Sequence, residues 1–257
     1  MIDKTNPAGR LYKILLTAKG HADNQSVKAV WSNVLNVEDN DIEITKAVLE
    51  LYSLASHTQL LIKMKKGLNH DLYLSSFNQI ERLLIPINLS LTWGHIRGNL
   101  TEESLTRLQF CAEELSRFYT EESLSEEELK NIVSKIEALF DSVNSSNLPD
   151  TLRLTILEEV ARLKHAVTMY QIKGAKGLKD ALQGTIGAIV ANQEELRTVR
   201  NENQDVIERL GELIDKLDSF TARALKLKEI VSKPIRYLLK VITEPDIVDN
   251  EGVDAEA

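Results

Sequence analysis

The residues with the most direct route to chemistry are His57, the dipeptide His70-Asp71 and the distant Asp150. A histidine, a His-Asp pair and a remote aspartate form a donor set that can hold a divalent metal, which then activates water. None of the five histidines stands four residues from another, so the helical spacing of a zinc pair does not occur. The chain also contains no glycine-rich phosphate loop ending in Lys-Ser or Lys-Thr, no HExxH and no paired CxxC. Cys111 is the single cysteine, which excludes an intrachain disulfide. It falls on an apolar helical stripe and reads as a small core residue.

The His57, His70-Asp71 and Asp150 set resembles that of the HD-type phosphohydrolases, and implies an HD-like metal-dependent phosphohydrolase as an alternative function. The short gap from His57 to His70 departs from that family's layout. A HEPN-type ribonuclease would need an arginine followed by a histidine after about four to six residues, and Arg162 and His165 are closer than that. With no stronger motif, no catalytic residue, metal site or cofactor is assigned. Trp31 and Trp93 read as core anchors.

Two other residue sets point to binding. The first follows Gly177, where Leu178, Leu182, Thr185, Ile189 and Asn192 recur three and four residues apart. The series continues through Leu196, Val199, Asn203, Val206, Leu210, Leu213, Leu217 and Phe220, then Ala224, Leu227 and Val231. That alternation is the heptad pattern of a coiled-coil seam. As one helix, residues 178–231 would extend roughly 80 Å. Asn203 is the polar departure, a residue type that can fix register where two helices meet. Ile207 and Ile214 widen the apolar face, which suits packing in a bundle. Small residues at Gly177, Ala181, Gly184, Ala188 and Ala191 suggest close helix packing just before the seam.

The second set is basic. Arg223, Lys226, Lys228, Lys233, Arg236 and Lys240 stand against one acid, Glu229. Pro234 is expected to open a short amphipathic helix carrying Ile235, Leu238, Leu239 and Ile242. Such a stretch, spanning residues 219–242, could meet an anionic membrane or nucleic acid, or simply complement its helix dipole. Residues 244–257 are acidic and poor in apolar side chains, and are expected to be a disordered tail.

The elements that must position these residues are helices. The 257 residues are 43% hydrophobic and 27% charged, with 5% aromatics and five prolines, a composition short of turn formers and suited to an all-α bundle. Leu11, Ile14 and Leu15 mark a first helix, and Val27, Val30, Trp31 and Val34 a second. Asp39 or Asp41 would cap a longer helix running to Lys63–Lys66, with Gly67 as its stop. Phe77, Ile80 and Leu84 form a further stripe that Pro86 ends. Residues 87–99 alternate like a strand that lacks a partner, and are read as an extended connector. Thr101 would cap one helix, Ser125 and Glu128 would form a capping box for the next, and Pro149 would open another.

Along the chain these divide into residues 1–99, 100–174, 175–243 and the tail at 244–257. The net charge of −8 argues against general nucleic-acid binding. The first twenty residues lack the apolar run of a secretory signal, so a cytoplasmic setting is expected. The reading that follows is a non-enzymatic helical protein, acting by protein–protein interaction as a scaffold, regulator or subunit. Its partner would be another protein or a second copy, engaged through the long helix.

Overall fold

The computed structural model describes residues 5–119 and 121–225. It is all-helical in this range, and its one β contact is an isolated antiparallel bridge between Ser26 and Thr92. Contacts group the chain into two units that are discontinuous in sequence. The first comprises Met1–Ser123 and Thr168–Gly177, and the second Leu124–Val167 and Leu178–Ala257.

The first unit opens with α1 (Pro7–Lys19), α2 (Val27–Leu35) and α3 (Asp41–Lys63). Asn6 caps α1 by accepting from Gly9 N at 3.0 Å, and Pro7 takes the first helical position, where a missing N–H costs nothing. Helix α3 is capped by Asn40, which stands between the two aspartates expected to do so, and Asp41 and Glu43 then face the helix dipole. Short helices α4 (His70–Leu74), α5 (Phe77–Leu84) and α6 (Gly94–Arg97) lead to α7 (Glu102–Ser116), capped by Thr101. Helix α1 packs on both α3 and α7. Leu11, Leu15, Leu51, Ile62, Ile80 and Leu108 are buried among them, and Trp31 meets Trp93 edge-on at 5.4 Å.

The alternation in residues 87–99 has a partner after all. Val27 N donates to Leu91 O at 2.9 Å, and Trp93 N to Gln25 O at 2.7 Å. Residues at the start of α2 and just before it supply these groups, so part of the connector's polar backbone is paired without a sheet.

The second unit contains α8 (Glu126–Ser145), α9 (Asp150–Thr168) up to Val167, the later part of α10 (Tyr170–Ala191), α11 (Gln193–Val199) and α12 (Gln204–Leu225). The capping box of α8 forms as the sequence predicts, with Ser125 Oγ accepting from Glu128 N and Glu128 accepting from Ser125 N. Helices α8 and α12 run antiparallel. Lys135 bonds Glu212 at 2.7 Å, Ser142 bonds Asp205 at 2.5 Å, and Arg223 pairs with Glu128 at the far end.

One expectation is corrected here. The described part of the heptad segment is not one continuous helix. It breaks at Asn192, between α10 and α11, and again at the 3-10 turn Arg200–Glu202 and Asn203. Both breaks fall on seam asparagines. Asn192 Nδ2 donates to Ala188 O at 2.8 Å and Asn203 Nδ2 to Val199 O at 3.0 Å. A short amide side chain that bonds the carbonyl one turn back offers the backbone an alternative to the helical ladder. Gly184, Gly187 and Gly211, the residues of weakest helix propensity here, stay inside helices. The remaining seam positions, Leu227 and Val231, and the basic residues Lys226, Lys228, Lys233, Arg236 and Lys240 lie outside the described residues, as does the acidic tail.

Candidate functional site

The donor set for metal chemistry is not assembled. His57 is half-buried on α3 and meets the Tyr119 ring edge-on at 6.4 Å. His70 opens α4, with Nε2 3.1 Å from Lys65 O, and Asp71 beside it is exposed. Asp150 belongs to the second unit, is exposed, and lies 3.8 Å from Arg153. Among the described residues no three His, Cys, Asp or Glu side chains come together as a metal-binding group. Cys111 is buried, and burial pushes its thiol up to about 12, far from a reactive thiolate.

The seam residues face inward within the second unit. Leu196, Val206, Leu210, Leu213, Leu217 and Phe220 are buried, and Val199 is half-buried. Asn203 is buried as well, and its Oδ1 accepts from Asn147 N at 3.1 Å. That bond links the entry to α12 with the loop between α8 and α9, so both ends of the amide are satisfied inside the chain. Of the basic set, only Arg223 is described. Its guanidinium pairs with Glu128, and that bond, with the Ser125 backbone, holds the carboxyl down at about 2.

A buried polar cluster in the first unit was not singled out from sequence. Arg10 on α1 and Glu121 form an ion pair at 2.9 Å, both buried. Arg10 Nε donates to Ile172 O at 3.0 Å, and its Nη1 also reaches Thr5 O. Glu121 accepts from Tyr119 Oη at 2.9 Å and from Ala175 N at 2.9 Å. Gly174 sits against both charges with φ of 64°, and a Cβ there would lie 2.4 Å from Arg10 and from Glu121. A side chain at this position is excluded by space and by backbone conformation together. The pair forms the floor of a cleft of about 290 Å³ whose walls include Ile14, Val34 and Tyr170. With the carboxylate accepting three hydrogen bonds and the guanidinium reaching three carbonyls besides it, those of Thr5, Ile172 and Lys173, the cluster has the chemistry of a structural clasp. The one local signal in sequence is the glycine at 174, a residue type that ends helices.

The surface of α3 carries the most unusual feature. Its core face holds Ile44, Val48, Leu51, Ala55 and Ile62. On the opposite face Ile42, Leu49 and Leu60 are 64%, 47% and 56% exposed, and Met64, the C-cap residue just past α3, is 68% exposed. Their spacings of seven, eleven and four residues place them in one row on a helix of 3.6 residues per turn. Ser53 and Ser56 fill the row between Leu49 and Leu60, Lys46, paired with Glu43 at 2.8 Å, interrupts it between Ile42 and Leu49, and exposed Lys63 flanks its end.

Comparison of the chain with known protein families, with curated proteins and with solved structures finds no match to any of them.

Proposed function

We propose that this chain is a non-enzymatic helical protein that acts in the cytoplasm by binding another protein, as a subunit or adaptor. The observation that carries this reading is the outer row of α3. A helix packed on a globular core is expected to turn charged residues toward water, whereas α3 turns Ile42, Leu49, Leu60 and Met64 outward. The row runs over 23 residues, Ile42 to Met64, roughly 33 Å of helix. It has the length and composition of a surface that another protein covers by helix-in-groove or helix-on-helix contact. The heptad seam, first choice from sequence, is a weaker candidate surface because its described side chains are engaged by the chain's own second unit.

The test is affinity capture with the tagged chain, comparing wild type with the pair Leu60→Asp and Met64→Asp. Both positions are exposed, so the substitutions leave stability within about 0.5 kcal/mol. Proteins recovered with wild type and lost with the variant, at unchanged melting temperature, support the reading. An identical set from both chains removes the α3 row as the binding surface.

A further inference from the structure

We infer that the groove between α8 and α9 in the second unit is a docking site for the chain's own residues 235–242. The groove has a volume of about 320 Å³. Its apolar floor is formed by Ile136, Phe140, Val160 and Ala161, and Phe140 is 46% exposed there. Glu137 and Asp141 stand on the α8 side, four residues apart and both exposed, against one cation, Lys164, on the α9 side. The sequence of residues 235–242 carries the complement: apolar Ile235, Leu238, Leu239 and Ile242, with Arg236 and Lys240 four residues apart. Equal spacing of the two acids and the two cations allows both pairs to form at once.

Chain length puts this occupant within reach of the groove. Helix α12 is described as far as Leu225, two residues after Arg223 pairs with Glu128 in the first turn of α8. From Glu128 to Asp141 along α8 is roughly 20 Å. Residues 226–234 can span up to about 30 Å, enough to pass around the end of α8 and return along it. Tethering also raises the segment's effective concentration at the groove to the millimolar range, which a free partner would have to exceed. The consequence is a basic stretch held against its own second unit instead of being offered to an anionic surface.

Hydrogen exchange on the full chain tests this, read at peptides covering residues 235–242 and the α8/α9 groove. The set comprises wild type, Glu137→Lys with Asp141→Lys, Arg236→Glu with Lys240→Glu, and all four together. In wild type the amides of 235–242 are expected to exchange at least about tenfold more slowly than free-chain rates. Either charge reversal abolishes that protection and loosens the groove peptides, and the four-fold variant restores both. Restoration cannot arise from misfolding, since a damaged unit would not be repaired by further substitutions. Free-chain exchange in wild type, or protection unaffected by the reversals, overturns the proposal. So does protection that depends on protein concentration, which indicates a second copy, or that appears only on adding phosphatidylserine vesicles, which indicates a membrane surface.

Discussion

At the residue scale the clearest case is the Arg10–Glu121 pair. Two charges taken out of water are tolerated only while each satisfies the other, and removal of one partner leaves an uncompensated buried charge. Arg10→Met is therefore expected to cost about 3–5 kcal/mol in chemical denaturation. Replacing both residues by apolar ones of similar size should recover part of that loss, which a double-mutant cycle measures. Glu128 behaves differently because it is near the surface. Its carboxyl is held down first by the Arg223 side chain and then by the Ser125 backbone. A folded-state value lowered to about 2 from the usual 4.5 gives stability that is present above about pH 4.5 and is lost as pH falls toward 2. Glu128→Gln should flatten that acid limb in a series of melts across the range. The change at neutral pH should be about 1 kcal/mol, the size of a lost cap and one exposed ion pair.

At the scale of elements, the asparagines in the seam decide the outcome. Periodicity alone reads Leu178 through Val231 as continuous, since a pattern of apolar positions is insensitive to a local break that preserves the phase. The side-chain bonds of Asn192 and Asn203 supply the break. Asn203→Leu is therefore expected to lower stability by about 1–3 kcal/mol, because Asn147 N loses its acceptor. A leucine in an intermolecular coiled coil would raise stability instead, so the sign of the change in melting temperature separates the two. Leu213→Asp should cost several kcal/mol, since Leu213 is fully buried and the carboxylate would have no partner. Helix starts were the most legible feature of the sequence. Thr101, Ser125 with Glu128, and Pro149 act through contacts within four residues, and local signals of that kind survive without tertiary information. Helix α4, and α6 inside the stretch read as an extended connector, were missed because five and four residues are too few to show a period. The partner of residues 87–99 was missed because it is bare backbone at Gln25–Val27, more than sixty residues away.

At the scale of the whole molecule, the all-helical class was legible from composition and stripe spacing, while the candidate surfaces were not. A sequence stripe says that a face is apolar, and only the fold says which apolar face remains outside. On α3 the core face and the outer row are both apolar, and their mixture in sequence does not mark which of the two faces stays outside. The Arg10–Glu121 clasp was illegible for a related reason. Its members stand 111 residues apart and meet only because α1, the segment after α7 and the turn at Gly174 are folded together. No described helix is long and apolar enough to cross a membrane.

The claim that this row meets another protein is tested most directly by site-specific photocrosslinking in living cells. A photoreactive phenylalanine analogue placed at Leu60 is compared with the same group at Glu158, an exposed position on α9. A discrete adduct, larger than the chain, is expected from position 60 and none from position 158. No adduct at position 60, or the same products from both positions, would contradict it.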